Sequence, residues 1–240
     1  MEASNLDFAF EAFDHNFGLQ GEGRTLLQGI ELSSTRLKAK QAVHHAGDDV
    51  DSLYIVLEGW LTTVMNRVDG QRLLLDFHVP VDLTGLEFLA ERRAESSLIA
   101  FEPSRIVRIP IEPFAAALAR NETASVAVLK TLAGGYIALQ RQMSVFAFAS
   151  APAKIASFLL GLRDKQRRNG FDDPNVLRLP LTQYDIADAL GLSNVTVSRI
   201  FTKFGRDKLV TFNRNVITIL DPEGLQARTG LIDTPDLEAG

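Results

Sequence analysis

Near residue 110 the apolar residues change period, and no other feature of the chain narrows its choice of fold as much. Upstream, from about residue 36 to 110, short apolar runs alternate with turn residues. The runs are Leu53-Tyr54-Ile55-Val56-Leu57, Trp60-Leu61-Thr62-Thr63-Val64-Met65, Leu73-Leu74-Leu75-Asp76-Phe77 and Ser104-Arg105-Ile106-Val107-Arg108-Ile109-Pro110, with Glu58-Gly59 and Asp69-Gly70 between the first three. β-Branched and aromatic residues fill them, and Asp-Gly is a hairpin turn signal. Strands this closely spaced read as a sandwich or barrel. From Glu112 onward the period is helical. Leu129, Leu132, Tyr136, Leu139, Met143 and Phe146 step by 3, 4, 3, 4 and 3, the spacing of an a/d seam. Such a seam beside a compact β part predicts pairing with a second copy, so a homodimer is expected through these side chains. Gly134-Gly135 lie inside the seam and cost the helix about 1 kcal/mol each relative to Ala. They either permit close helix approach or mark a flexible point.

Ala149-Ser150-Ala151-Pro152 ends the seam, because Pro152 cannot continue a helix but suits the first turn of a new one. A domain boundary is placed there. At the other end, Phe8, Phe10, Phe13 and Phe17 have the spacing of a short helix packed on a core. A length of 240 residues is comfortable for two domains, and 46% hydrophobic with 23% charged residues is ordinary for a folded chain. No run of about 18 apolar residues is available to cross a membrane. The acidic start MEASNLDFAFEAFDH lacks the basic region of a signal peptide. With no cysteine, the chain has no disulfide, thiolate zinc site, catalytic thiol or cysteine-ligated iron–sulfur cluster. A cytoplasmic protein, off the membrane, is expected.

The net charge of −5 hides a division. Residues 154–215 hold 11 Lys and Arg against 6 Asp and Glu, whereas the remainder holds 14 against 24. One part suits a polyanion and the other does not. The motif behind that asymmetry runs from Thr182 to Phe204. Thr182 and Asp185 form a T-x-x-D capping box, which fixes a helix start. Ile186, Leu190, Leu192, Val197 and Ile200 are apolar, while Ala187 and Gly191 are small. Two short helices crossing through a tight turn need that arrangement, with Gly191 supplying a positive φ. Ser193 caps the second helix, whose outward N-terminal face offers Asn194, Val195, Ser198 and Arg199. This is a helix-turn-helix, and the second helix is the expected reader of the DNA major groove. Downstream, residues 208–219 read as a two-stranded ribbon with an Asn213-Arg214-Asn215 tip, which makes the module winged.

Over residues 35 to 220 the chain resembles a transcription regulator of the CRP/FNR family. Gly47 in His-Ala-Gly-Asp, Gly59 in Val-Leu-Glu-Gly-Trp and Gly85 in Val-Asp-Leu-Thr-Gly match the glycines of the family's β-roll, and Thr196-Val197-Ser198-Arg199 matches its recognition-helix core. The resemblance implies an α+β fold in three parts. Residues 1–121 would form a β-roll sensor domain, a cyclic-nucleotide-binding-like jelly roll, with an N-terminal helical segment. Residues 122–150 would be the dimerisation helix and 151–221 the winged helix-turn-helix. Beyond the resemblance, residues 222–240, with Pro222, Pro235, Asp233, Asp236 and Glu238, read as a loosely ordered tail. The resemblance also implies double-stranded DNA, a second copy of the chain and RNA polymerase as partners. The family's cyclic-nucleotide binders carry Glu directly after the third glycine and an Arg-Ser pair shortly after. Here Leu86 follows Gly85, Glu95-Ser96-Ser97 occupies the Arg-Ser stretch, and Leu139-Gln140 replaces the hydroxyl pair that would meet adenine. A carboxylate facing a phosphate is repulsive. Cyclic AMP sensing is therefore not expected, and the pocket residues Gly85, Leu86, Glu87, Ser96, Ser97, Leu139 and Gln140 are left with an unidentified effector. Glu87 itself reads more readily as a solvated or hydrogen-bonded residue than as a ligand.

For DNA the expectations are specific. Arg199 would donate two hydrogen bonds to a guanine, Ser198 would meet a base or phosphate, and Asn194 an adenine edge or phosphate. Thr182, Ser193, Thr196 and Lys203 would belong to the same interface, with Thr196 and Lys203 on phosphates. The family usually has Glu where Val195 stands; valine would instead pack on a thymine methyl. Arg163, Lys165, Arg167 and Arg168 suit either phosphates or a solvated helix end. His15, His44, His45 and His78 read as surface or turn residues; His44 and His45 are adjacent, so a strand would point them to opposite faces. The chain is not expected to be an enzyme, nor to hold a metal or other cofactor. A haem or redox gas sensor of the same family is a second reading. A cupin-like β-barrel metal enzyme is a third, and the histidine spacing offers it no ligand set.

Overall fold

The computed structural model describes residues 3–66, 72–178, 181–213 and 216–230. The chain divides into two compact units, Met1–Leu139 and Gln140–Gly240. In the first, α1 (Ala3–Phe17) and α2 (Glu22–Leu27) precede the strands β1 (Ser33–Leu37), β2 (Ala42–His44), β3 (Ser52–Glu58), β4 (Leu61–Asn66), β5 (Arg72–His78) and β6 (Leu83–Thr84). A 3₁₀ turn at Leu86–Leu89 leads to β7 (Ser97–Ala100) and β8 (Ser104–Pro110), then to α3 (Ile111–Leu118) and α4 (Glu122–Phe148). The strands form two antiparallel four-stranded sheets, ordered β1-β8-β3-β6 and β2-β7-β4-β5, a jelly-roll-like arrangement. Asp69-Gly70 lies outside the described residues.

Residues 52–57 of β3 are buried without alternation, because α1 covers the sheet there and both strand faces are shielded. Phe13 of α1, fully buried, stacks with Phe17 at 4.5 Å and meets the edge of Phe114 of α3 at 5.6 Å. The phenylalanine spacing does mark a helix on a core. The β3–β4 turn admits no side chain at Gly59, where a Cβ would lie 2.9 Å from the Cα of Ser104 and 2.5 Å from the Pro103 carbonyl oxygen. Asn16 ties α1 to the β5–β6 turn. Its Nδ2 donates to the Val81 carbonyl at 2.7 Å, its Oδ1 accepts from the Leu83 N–H at 3.4 Å, and its own carbonyl accepts from Thr131 of α4 at 3.3 Å. Val81 sits at φ 80°, a conformation that costs a β-branched residue energy. The Asn16 bond, with that from the Val81 N–H to the Val56 carbonyl at 2.9 Å, holds it there.

The second unit contains α5 (Ala151–Arg168), β9 (Val176–Arg178), α6 (Gln183–Leu190), α7 (Asn194–Arg206), β10 (Val210–Asn213), β11 (Val216–Ile219) and α8 (Pro222–Gln226). Ser150 caps α5 by accepting from the Ala153 N–H, and Pro152 falls in the first turn. Ile155, Leu159, Ile186, Val197, Phe204, Ile217 and Leu225 close its core. Two expectations need correction. The wing is three-stranded, ordered β10-β11-β9, because Val176–Arg178 pairs with β11; Arg214 and Asn215 of its tip lie outside the described residues. The segment after Asp221 is not loose up to residue 230. Asp221 caps α8 through the Gly224 N–H at 2.8 Å, and Leu225 is buried against the unit's core. Residues 231–240 of the predicted tail lie outside the described residues.

Candidate nucleic-acid interface

The geometry of α6 and α7 follows from local chemistry. The Thr182 N–H and hydroxyl both donate to Asp185 Oδ2, at 2.8 and 2.6 Å, while the Asp185 N–H donates back to Thr182 Oγ1 at 3.3 Å. The capping box thus consumes the polar groups of Thr182. Gly191 ends α6 at φ 61°, and a Cβ there would meet nothing within 4 Å, so its requirement is conformational rather than spatial. Ser193 then caps α7, accepting from the Thr196 N–H at 3.1 Å and sharing a hydrogen with Thr196 Oγ1 at 2.8 Å. Ser193 and Thr196 are structural caps in addition to anything they meet outside.

Val197, Ile200, Phe201 and Phe204 face the core, and Phe201 stacks on Phe212 of the wing at 5.3 Å. The opposite face presents Val195, Ser198, Arg199, Thr202, Lys203 and Arg206, all exposed. Val195 is 66% exposed, which leaves its two methyl groups free to meet a partner. Sequence reading missed Thr202 and Arg206, although they lie three and seven residues beyond Arg199 on the same helical face. It also misplaced Asn194. That residue is half-buried, and its Oδ1 is buried with no hydrogen-bond partner among the described residues. Its position three before Val197 and seven before Phe201 turns it inward. Arg199, Lys203, Arg206 and Lys208 put four exposed cations within ten residues, while Asp207 beside them is paired with Arg228 at 3.1 Å. The face is basic. On α5, Arg163 is half-buried and holds Asp164 at 2.8 Å.

In the first unit the predicted effector residues scatter by environment. Gly85 and Ser97 are buried, Leu86 and Ser96 are half-buried, and Glu87 is exposed. Ser97 Oγ accepts from the Ala46 N–H at 3.0 Å, which ties β7 to the loop after β2. Leu139 is exposed on α4, and Gln140, at the start of the second unit, is exposed as well. His44 and His78 are not surface residues. His78 is 7% exposed and its Nε2 bonds Thr63 Oγ1 across the β4–β5 pair at 2.8 Å. His44 is half-buried, edge-on to Phe88 at 5.3 Å and near Tyr54 at 6.0 Å. Burial lowers its pKa below the ordinary imidazole value, Asp48 opposing and His45 adding to the shift. His45, by contrast, is exposed. No group of three or more His, Cys, Asp or Glu suited to a metal occurs among the described residues.

On α4, Ala124 and Val128 are buried in the first unit, whereas Leu129, Leu132, Tyr136, Leu139 and Met143 of the seam are between 42% and 64% exposed. Phe146 departs from them: it is half-buried, with the Lys154 ammonium 5.6 Å from its ring centroid. Val126 and Ile137, outside the seam, are exposed too. No helix among the described residues is long and apolar enough to cross a membrane.

Comparison with known proteins agrees with this anatomy. Residues 34–121 match the cyclic nucleotide-binding domain, and residues 153–228 match the Crp-like helix-turn-helix domain. The chain is 29% identical over 209 residues to the transcriptional activator protein Anr of Pseudomonas protegens, covering 87% of this chain and 85% of Anr. It is 24% identical over 204 residues to the transcriptional regulatory protein btr of Bordetella pertussis, covering 85% and 84% of the two chains. Among solved structures, FixK2 from Bradyrhizobium japonicum superposes with a TM-score of 0.76 at 20% identity, over 85% of this chain and all of that one. A mutant of CooA from Carboxydothermus hydrogenoformans gives 0.66 at 18% identity, over 82% and 88%. With both domains matched in the same order and relatives aligned along most of their length, the chain belongs to the CRP/FNR family and is a DNA-binding transcription regulator.

Proposed function

We propose that the protein acts as a homodimer that reads an inverted-repeat DNA site through α7, under the control of an effector other than cyclic AMP. The observation that carries this is the exposed face of α7, where Arg199 stands between Val195 and Thr202 over a basic flank and no acidic side chain interrupts the helix. Two copies of α7, set in successive major grooves about 34 Å apart, would meet two half-sites. Arg199 donates a bidentate pair to guanine, Val195 packs on a thymine methyl, and Ser198 meets a base or phosphate. Lys203 neutralises a phosphate and fixes register. The exposed apolar stripe of α4 supports dimerisation, since Leu129, Tyr136 and Met143 would otherwise remain in water. Leu86 and Ser96-Ser97 offer neither the carboxylate for a ribose nor the cation for a cyclic phosphate, which supports a different effector. The chain is not an enzyme in this reading, and its output passes to RNA polymerase.

The test is a binding series across base-substituted sites at two salt concentrations, with circular dichroism on each variant. Arg199→Ala should cost about 1–3 kcal/mol and relax preference at one base pair per half-site. Lys203→Ala should weaken all sequences nearly alike and make the salt dependence shallower by about one unit per subunit. Uniform loss from Arg199→Ala, with base preference intact, would falsify its role as a reader.

A further inference from the structure

The face of α7 carries one more reader than its arginine and valine. Val195, Arg199, Thr202 and Arg206 recur at four, three and four residues, so they form one line along the helix, and all four are exposed. Thr202 is distinguished by what its hydroxyl already does. Oγ1 donates to the carbonyl oxygen of Ser198, one turn back, at 2.9 Å. A threonine hydroxyl has a single hydrogen, and here it is committed to the helix. A phosphate oxygen only accepts, as do guanine N7 and O6 and thymine O4. Thr202 therefore has nothing to donate to any of them. With the hydroxyl hydrogen so committed and the residue exposed, the γ-methyl is the group left to meet a partner.

We propose that Thr202 reads a thymine 5-methyl group, so that two methyl-bearing side chains, Val195 and Thr202, bracket the guanine read by Arg199. The inference rests on α7 being the DNA-reading helix and adds a specificity determinant to it. The rise of about 1.5 Å per residue sets the spacing. Val195 lies about 6 Å and Thr202 about 4.5 Å along the axis from Arg199, on opposite sides. Base pairs are about 3.4 Å apart, so a helix lying along the groove puts the two methyl contacts about two steps and about one step from the guanine. Arg206, at the far end of the line, is left to the backbone.

The experiment uses the full-length protein and the tightest duplex recovered from a randomised pool. That duplex is resynthesised with deoxyuridine in place of one thymidine at a time, which removes the 5-methyl and nothing else. Wild type should lose about three- to fivefold affinity at two positions within a half-site, the value of one buried methyl. Thr202→Ser keeps the hydroxyl and its helix bond but lacks the methyl, and should be insensitive to deoxyuridine at one of the two. Thr202→Val keeps the methyl and should stay sensitive there. Val195→Ala should lose sensitivity only at the other. The proposal is overturned if no deoxyuridine affects wild type, or if Thr202→Ser responds as wild type does at every position. A uniform, salt-dependent loss with Thr202→Val would also overturn it, by making the hydroxyl a phosphate ligand. Arg199→Ala on the same duplexes separates the two levels of inference. If it relaxes guanine preference while deoxyuridine is tolerated, α7 reads DNA but Thr202 reads no methyl. If guanine preference survives, α7 is not the reader and both readings fall.

Discussion

The exposed face of α7 and the segment from Gly85 to Ser97 were both singled out by their resemblance to one family, yet the fold uses them in opposite ways. On α7 the side chains opposite the core project into solvent, and only Thr202 among them spends a polar group on its own helix. Around Gly85, Phe88 is 3% exposed against His44, and Ser97 is 3% exposed with its oxygen committed to a backbone N–H. The first region holds its chemistry ready for a partner. The second has turned much of its chemistry inward, to packing and to tying β7 to the loop after β2. Substitutions on the exposed sets should therefore change association and leave folding intact, and substitutions in the buried sets should do the reverse.

The sharpest break of that contrast lies on α4. Leu139 and Met143 are 53% and 63% exposed in the single chain, so Leu139→Asp with Met143→Asp removes no core contact. In a dimer the same change buries unpaired charge, and the variant should sediment as a folded monomer. A double variant that still sediments as a dimer would place the interface elsewhere. Phe88→Ala comes next and lies on the buried side. It should cost the β-roll about 3–5 kcal/mol in denaturant unfolding, while the isolated affinity of α7 for DNA changes little. A loss under 1 kcal/mol would mean that the segment is not structural after all.

Asn16→Ala removes the side chain that holds both sides of the β5–β6 turn. With Val81 at φ 80° losing one of the two hydrogen bonds that hold it, about 1–3 kcal/mol should be lost, and amide exchange should rise first at Val81 and Leu83. Unchanged exchange there would show that the turn holds itself. The smallest effect expected is with pH. Burial holds His44 below the ordinary imidazole pKa, so the unfolded chain takes up a proton first as pH falls through about 6.5. Stability is full above that value and declines below it until folded His44 also protonates. His44→Phe should make the melting temperature fall less between pH 7.5 and 5.5 than in wild type. An equal fall in both proteins would assign the pH dependence to other groups.

What was legible in the sequence was local. The Thr182–Asp185 box, the Ser193 cap and the break at Pro152 each depend on residues within one turn, and each forms as read. The two-sheet fold was legible through its apolar runs and glycines. The rest depended on partners far along the chain. Nothing near His78 announces Thr63, fifteen residues away across a strand pair, so the sequence alone reads this polar residue as surface or turn. Val176–Arg178 and Pro222–Gln226 are too short to show a period, and only pairing with β11 and burial of Leu225 make them elements. Asn194 is different, because the buried stripe at 197, 201 and 204 already pointed inward from it. Its polarity outweighed its phase.

The turn between α6 and α7 has a consequence for descent. Since no atom lies within 4 Å of a Cβ at Gly191, only the backbone angle is demanded there, and asparagine tolerates that angle far better than other side chains. Over evolutionary time this position can drift away from glycine without the two helices changing their crossing. Gly59, where a Cβ would press on Ser104 and Pro103, has no such freedom. A search that insists on glycine in the turn will overlook distant kin that one anchored on the β3–β4 hairpin will still find.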